Sequence, residues 1–162
     1  MDGLSAELRV VSYGSDDAQL LTREVQEEYG RRYGGEGDIS PIDVHEFDAP
    51  RGHFVMVYVG QEPAAMGGWR RGGPAGDSDG EIKRMYVRPA FARQGHARRV
   101  LAELERSAVE AGLTRLVLET GTAQPEAIAL YLSAGYDHVP AFGFYAEYDD
   151  SVHLAKRLTP LA

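Results

Sequence analysis

The sequence predicts an α+β domain built on one mixed sheet with helices packed against it. Three observations carry this. The first half holds short β-branched and aromatic runs joined by tight turns, the pattern of an antiparallel meander. The second half alternates strand-like runs with two helix-patterned segments, in the order β–α–β–α–β. The length, 162 residues, is most simply one domain, 1–162, burying roughly 68–70% of the unfolded surface.

Taken in order, "LRVVSY" (8–13) reads as a first strand. Asp16 is the expected N-cap of a helix over 17–33, which "GGEGDIS" (34–40) breaks. Residues 41–52, with Pro41 and Pro50, read as irregular. "HFVMVYV" (53–59) and "AAMGGWR" (64–70) form a hairpin through "GQEP". "GGPAGDSDG" (72–80) is a loop, and "EIKRMYV" (81–87) is a strand stopped by Pro89. The next helix places Ala97, Val100, Leu101, Leu104, Ala108 and Ala111 on one face and ends at Gly112. "TRLVLET" (114–120) is a strand. "QPEAIALYLSAG" (124–135) is a helix with Pro125 in its first turn and Gly135 past its end. A hairpin over 137–146 and 151–158 closes the chain.

Charge narrows the partners. Residues 1–50 hold 12 acidic and 4 basic residues, the whole of the net charge of −8. Residues 83–99 hold six basic residues and no acid. A globally acidic chain repels nucleic acid and anionic membranes, while a local basic patch suits a small polyanion. No apolar run approaches the length of a membrane span, and the N-terminal sequence lacks a signal-peptide pattern. There is no cysteine, which removes disulfides and thiolate chemistry and makes the cytoplasm the expected location.

The basic patch centres on "ARQGHA" (92–97), between a strand and the helix it feeds. First-turn N–H groups lack intrahelical partners, and the helix dipole adds partial positive charge. Gly95 and Ala97 leave room for an anion, and Arg93 and Arg98 add full charges. The alternative is a plain helix start with solvated arginines.

The run from strand "EIKRMYVRP" through this turn to "QPEAIALYLSAGY" resembles the GNAT superfamily of acetyl-CoA-dependent N-acetyltransferases. The family motif Arg/Gln-x-x-Gly-x-Gly/Ala lies over Ala92-Arg93-Gln94-Gly95-His96-Ala97. Ala92 replaces the first residue, leaving Arg93 or Arg98 to take over. The family's Tyr-x-x-x-Gly-aromatic motif is Tyr131 to Tyr136, and Gln124 stands where members often carry Asn. The resemblance covers about 54–158. It implies the GNAT fold, a mostly antiparallel sheet with strands splayed around a coenzyme cleft. It also implies that acetyl-CoA is the co-substrate. The main chain of Met85, Tyr86 and Val87 would hold the pantetheine arm, with Arg93, Gln94, Gly95, His96, Ala97, Arg98 and Gln124 around the coenzyme.

Direct acetyl transfer needs a base for an amine that is mostly protonated at pH 7, and a donor for the departing thiolate. Glu81 matches the base of family histone acetyltransferases. Glu119, twelve residues before Tyr131, matches that of members acting on ribosomal protein N-termini. Both stay open, with Glu81 preferred because Gly80 precedes it at a strand start. The alternative for either is an ion pair with Lys83, Arg84 or Arg115. Tyr131 is the expected acid, the alternative being a core aromatic beside Ile128 and Leu132.

Other motifs fail on context. "GDSDG" (76–80) matches a nucleophile elbow, but a loop precedes it and a strand follows. The five histidines have no metal-ligand spacing, so no metal is expected. His96 reads as a solvated neighbour of the ligand, and Trp69 as a packing residue of the hairpin. The acidic residues Glu24, Glu27, Glu28, Glu36, Asp38, Asp43, Glu46 and Asp48 suggest a cationic acceptor, a small molecule or peptide amine. The alternative is a helix face kept acidic for solubility. Tyr29, Tyr33, Phe142, Phe144 and Tyr145 are candidates to line the groove. The expectation is a cytoplasmic N-acetyltransferase, monomer or homodimer. A non-enzymatic acyl-CoA sensor and a different acyl donor are the alternatives.

Overall fold

The computed structural model describes residues 5–160 and shows one seven-stranded sheet. Its strands are β1 Ala6–Val10, β2 Gly52–Val59, β3 Glu62–Arg71, β4 Asp79–Val87, β5 Arg115–Gly121, β6 Asp137–His138 and β7 Ser151–Arg157. They lie in the order β1-β2-β3-β4-β5-β7-β6, antiparallel except for β4 with β5. The helices are α1 Asp16–Tyr33, α2 His96–Glu110 and α3 Pro125–Ser133. None of the described helices is long and apolar enough to cross a membrane.

Both faces of the sheet are covered, so β2 is apolar along nearly its whole length rather than alternating. On one face Val55, Val57, Leu116 and Leu154 pack against Leu101 and Leu104 of α2 and Tyr131 of α3. Trp69 belongs to this layer, and its indole N–H donates to Ser107 Oγ at 2.9 Å. On the other face Phe54, Met56 and Met66 pack against Leu21 and Val25 of α1.

Helices α2 and α3 end alike. Leu113 N–H donates to Ala108 C=O and Gly112 N–H to Val109 C=O; Tyr136 N–H donates to Tyr131 C=O and Gly135 N–H to Leu132 C=O. These are Schellman closures, with Gly112 (φ 85°) and Gly135 (φ 97°) in the left-handed position they demand. The Tyr131-to-Tyr136 motif is thereby explained locally. The residue after the glycine folds back, and the two rings meet edge to face at 5.6 Å.

Strand β4 carries the two irregularities that shape the site. Its register with β3 passes from Met66↔Tyr86 to Gly68↔Lys83, so Arg84 and Met85 together oppose Gly67. This is a bulge, and Arg84 adopts φ 63° within it. A Cβ on Gly67 would lie 2.5 Å from Met85 Sδ, so the bulge needs glycine opposite it. At its other side β4 pairs with β5 only from Asp79–Glu81 to Arg115–Val117, and beyond that the strands diverge.

Asp38, its side chain 12% exposed, locks the bulge. Its Oδ2 accepts from Lys83 Nζ at 3.0 Å and Arg84 Nη1 at 2.9 Å, and its Oδ1 from the Tyr145 hydroxyl at 2.6 Å. Burial alone would raise the Asp38 pKa, but Lys83, Ser40 and Tyr145 outweigh it and hold the carboxyl below its usual range.

Three expectations need correction. The first strand is Ala6–Val10 rather than 8–13, and Ser15, not Asp16, caps α1, accepting from Ala18 N–H at 3.3 Å. Residues 44–47, inside the irregular stretch, form a 3-10 turn closed by the reciprocal capping of Asp43 and Glu46. The closing hairpin is short: only Asp137 and His138 pair with β7. Pro140 and Gly143 (φ 76°) interrupt any longer strand, and residues 140–150 turn back toward Asp38.

Removing the Asp38 charge leaves Lys83 and Arg84 buried without their anion, a defect that costs about 3–5 kcal/mol. Asp38→Asn is expected to lose stability of that order in urea unfolding at pH 7. Because the folded pKa is depressed, the Asp38 contribution is present at neutral pH and fades as pH falls below the normal carboxylate range. A loss under about 1 kcal/mol would show that the cluster does not hold the bulge.

Candidate active site

The registers place Arg70 beside Glu81, Glu81 beside Val117, and Glu119 beside His153. Val117 and Glu119 share a face because side chains alternate along a strand. Arg70, Glu81, Glu119 and His153 therefore form one row across β3, β4, β5 and β7. Arg70, Glu81 and Glu119 of this row floor a cleft of about 390 Å³ whose walls include Pro41, Phe142 and Phe144.

Both candidate bases lie in this row, and their environments differ. Arg70 Nε and Nη2 donate to Glu81 Oε1 at 3.1 and 3.0 Å. Glu81 is thus ion-paired, with Arg70 rather than Lys83, Arg84 or Arg115. Glu119 Oε2 accepts only the Tyr145 N–H, at 2.9 Å, among the described hydrogen bonds. Burial pushes the Glu119 pKa up to about 7, against the lowering by Tyr145 N–H, and the adjacent Glu81 carboxylate adds to the rise. Gly143 makes the close packing possible, since a Cβ there would sit 2.6 Å from Glu119 Oε1.

Tyr131 is a buried core aromatic, 5% exposed, yet its hydroxyl has no hydrogen-bond partner among the described residues and is not sealed from solvent. Burial raises its pKa, and Tyr29 of α1 adds to the rise. The alternative reading, core packing, describes the ring, while the hydroxyl stays unengaged among the described residues.

The 92–97 turn has the form of an anion cradle. The backbone N–H groups of residues 93–98 have no protein partner among the described hydrogen bonds. Arg93 (φ 62°) and Gly95 (φ 84°) take left-handed conformations, which aim successive N–H groups into one concavity. The side chains divide. Arg93 has no partner among the described residues, whereas Arg98 donates to Ser133 Oγ at 2.7 Å and ties α2 to α3. His96 is buried, 7% exposed, against Phe91, with Nε2 3.2 Å from Gln94 Oε1. The expectation of a solvated imidazole is corrected: only the His96 main chain faces the cradle. Gln124 donates to the Tyr33 hydroxyl at 3.1 Å. Met85 packs on Gly67, Tyr86 donates to Glu24 at 3.3 Å, and Val87 ends β4 beside the opening.

The acidic segment is not a free negative wall. Glu24 pairs with Arg88, Glu28 with Arg32, Asp38 with Lys83 and Arg84, and Glu46 with Arg70. Asp43 caps the 3-10 turn and Asp48 meets His45. Of the five aromatics proposed for the groove, Phe142 and Phe144 line the cleft. The Tyr145 hydroxyl is spent on Asp38, and the Tyr33 ring lies over Gly121.

Sequence reading missed Arg70, His153 and Gly143, and it named Tyr145 only as a candidate to line the groove, not as the N–H partner of Glu119. Arg70 was legible in principle, since the loop at 72–80 folds β4 back onto β3 and brings Glu81 opposite Arg70. The other three depend on the path of residues 140–150, for which no local pattern exists.

Glu119 supplies a test with a definite sign. A folded pKa near 7 lies above the usual value of about 4.3, so folding is favoured below the unfolded pKa and opposed as pH rises through 7. Glu119→Gln is expected to stabilise the protein at pH 8, on the order of 2 kcal/mol, and to change little at pH 4.5. Equal melting points at pH 8 would mean that Glu119 titrates normally.

The family model for the acetyltransferase (GNAT) family matches residues 20–136. The IAA acetyltransferase of Azospirillum brasilense is 44% identical over 80 residues, 49% of this chain and 52% of that protein, so the match spans about half of that relative's length. The uncharacterized N-acetyltransferase YsnE of Bacillus subtilis is 30% identical over 122 residues, 74% of this chain and 79% of YsnE. A Klebsiella pneumoniae protein described as an acyl-CoA N-acyltransferase has the same fold, with TM-score 0.78 and 24% identity over 96% of this chain and 99% of its own. With the sheet order, the cradle and the diverging strands, these matches establish that the chain belongs to the GNAT acetyltransferase family.

Proposed function

We propose that the protein transfers an acetyl group from acetyl-CoA directly to a primary amine. The observation that carries this reading is the pair Glu81 and Glu119 on the cleft floor, where β4 and β5 part. The acetyl-CoA pyrophosphate fits the free N–H groups of residues 93–98 with Arg93 beside them. The opening between β4 and β5, lined by Met85 to Val87, suits its extended arm.

Glu119 is the better base. Glu81 is engaged by Arg70, while Glu119 has a pKa matched to neutral pH. Glu119 takes one N–H proton from the ammonium form of the acceptor. The freed lone pair forms the C–N bond as the thioester C–S bond breaks, and the second N–H proton passes from the new amide nitrogen to solvent. Tyr131 is the partner of the departing sulfur. Burial keeps it protonated, and a thiol ordinarily titrates near 8.5, so full proton transfer from Tyr131 to sulfur is uphill. Tyr131 therefore acts as a hydrogen-bond donor to the developing thiolate, and the final proton comes from solvent.

The acceptor is read as a primary amine carrying an apolar body. Phe142 and Phe144 line the cleft, Phe144 is 47% exposed, and most of the acids expected to attract a polycation, Glu24, Glu28, Asp38 and Glu46 among them, are paired internally. The acceptor ammonium itself meets the two carboxylates.

Free-thiol release from acetyl-CoA with 2-phenylethylamine and spermidine tests this. The phenyl amine is expected to turn over with the higher kcat/KM. Glu119→Gln is expected to lower kcat by about 10²–10⁴-fold, and kcat/KM of the wild type to rise with pH through about 7. Tyr131→Phe is expected to lower kcat with little change in acetyl-CoA binding. Full turnover by Glu119→Gln would remove it as the base, and a preference for spermidine would overturn the acceptor reading.

A further inference from the structure

The proposed transfer changes charge at three atoms. Glu119 serves the amine and Tyr131 the sulfur. The acetyl carbonyl oxygen gains negative charge as the amine adds, and no side chain has been assigned to it. Such an oxygen calls for a donor already in place, in a site shielded from water. Tyr29 of α1 carries a hydroxyl that the mechanism has not used.

The stripe Leu21, Val25, Tyr29 and Tyr33 repeats every four residues along α1, so these side chains share the face turned to the sheet. Leu21 and Val25 pack with Phe54, Met56 and Met66 of β2 and β3. Beside them Glu24 reaches the Tyr86 hydroxyl and Arg88, at the far end of β4. Tyr33 lies over Gly121, the last residue of β5. The helix therefore crosses from β3 over β4 to β5. Tyr29 sits one turn, about 5–6 Å along the axis, from each of the flanking anchors Val25 and Tyr33. That places it over the stretch where β4 and β5, paired only as far as Glu81 and Val117, have separated. Tyr131 belongs to the layer on the opposite face, near enough for Tyr29 to bear on its ionisation.

The Tyr29 hydroxyl makes no hydrogen bond among the described residues and, like that of Tyr131, is not sealed from solvent. Burial raises its pKa. Arg84 acts in the opposite sense, and Asp38, Glu28 and Tyr33 add to the rise, so the group is a neutral O–H donor at pH 7.

We propose that the Tyr29 hydroxyl donates to the carbonyl oxygen of the thioester and holds the negative charge that collects there during transfer. The proposal rests on the reading of the protein as an acetyl-CoA-dependent amine acetyltransferase. No proton changes hands at Tyr29. Its O–H bond stays intact, and the hydrogen bond strengthens as the oxygen becomes anionic and relaxes when the amide C=O forms. Tyr29 meets the carbonyl from the α1 side and Tyr131 meets the sulfur from the side of α2 and α3. The two hydroxyls thus bracket the thioester across the parted strands.

Tyr29→Phe removes one oxygen that has no protein partner to lose, so the variant is expected to melt with the wild type. A clear loss of stability would give the hydroxyl a structural task and overturn the proposal. Thiol release with acetyl-CoA and 2-phenylethylamine is expected to show kcat lowered on the order of 10²-fold, with KM for both reactants within about threefold of wild type. A wild-type kcat, or a change confined to KM, overturns the assignment. Isotope-edited infrared spectroscopy of bound acetyl-CoA, labelled with carbon-13 at the thioester carbonyl, needs neither acceptor nor turnover. The carbonyl band is expected at lower frequency in the wild type than in Tyr29→Phe, and unmoved by Tyr131→Phe. Identical bands in wild type and Tyr29→Phe, or a band that moves only in Tyr131→Phe, sink the role of Tyr29 while leaving acetyl-CoA as the donor. The absence of any bound carbonyl band in the wild type removes acetyl-CoA itself, and the Tyr29 assignment falls with it.

Discussion

The Asp38 carboxylate joins parts of the chain up to 107 positions apart, reaching Lys83 and Arg84 on β4, Ser40 in its own loop and Tyr145 near the C-terminus. Lys83 and Arg84 are consecutive, and in a regular strand they would point to opposite faces. The left-handed turn at Arg84 brings both onto one carboxylate. Bulge and ion cluster therefore explain each other. A non-glycine residue in that conformation costs of order 1–3 kcal/mol, which charge-assisted hydrogen bonds of about 1.5–3 kcal/mol each can offset. The Arg84 Nε bond to the Tyr13 hydroxyl at 3.0 Å adds a second anchor, tying the bulge to the segment ahead of α1.

With the bulge fixed, the divergence of β4 from β5 sorts the chemistry by face. Glu81 and Glu119 lie on the α1 side of the sheet, and Tyr131 belongs to the layer beneath α2 and α3. The unpaired stretch between the strands is where the two sides communicate. In the proposed reaction an amine arriving over Phe142 and Phe144 would meet carboxylates, while a leaving sulfur on the other side would meet a neutral hydroxyl. Proton removal and leaving-group stabilisation are thus kept apart without separate domains. The 93–98 cradle follows β4 directly at the start of α2, so the strand that is bulged is also the strand that aims the anion site.

The parts legible in the sequence were those governed by local rules. Periodicity located α2, glycine and proline punctuation located both ends of α3, and β-branched content located the central hairpin. The Tyr131 and Gly135 motif was visible because a Schellman closure is a local demand. The parts that escaped were non-local. Nothing near Arg84 signals a positive φ, because its cause is a carboxylate 46 positions away. The short pairing of Asp137 and His138 escaped for a related reason: residues 140–150 are recruited by Asp38 and Glu119 instead of forming strand. His96 looked solvated because its neighbours are polar, yet Phe91, five residues earlier, draws the ring inward.

The distribution of charge acquires a structural meaning from these contacts. The first 50 residues carry the entire net charge of −8, and a basic run lies in 83–99. Read in one dimension, that asymmetry suggests an acidic mouth and a basic cradle acting on separate ligands. In three dimensions much of it is mutual: Asp38 answers Lys83 and Arg84, and Glu24 answers Arg88. Arg93 is left as the cation beside the cradle without a protein partner among the described residues. On the cleft floor Arg70 engages Glu81 and Glu46, leaving Glu119 as the carboxylate with no cation bonded to it. Internal pairing thus concentrates the remaining reactivity on one cation and one carboxylate, on opposite flanks of the parted strands. In the proposed reaction those are the two places where the coenzyme pyrophosphate and the amine would need them.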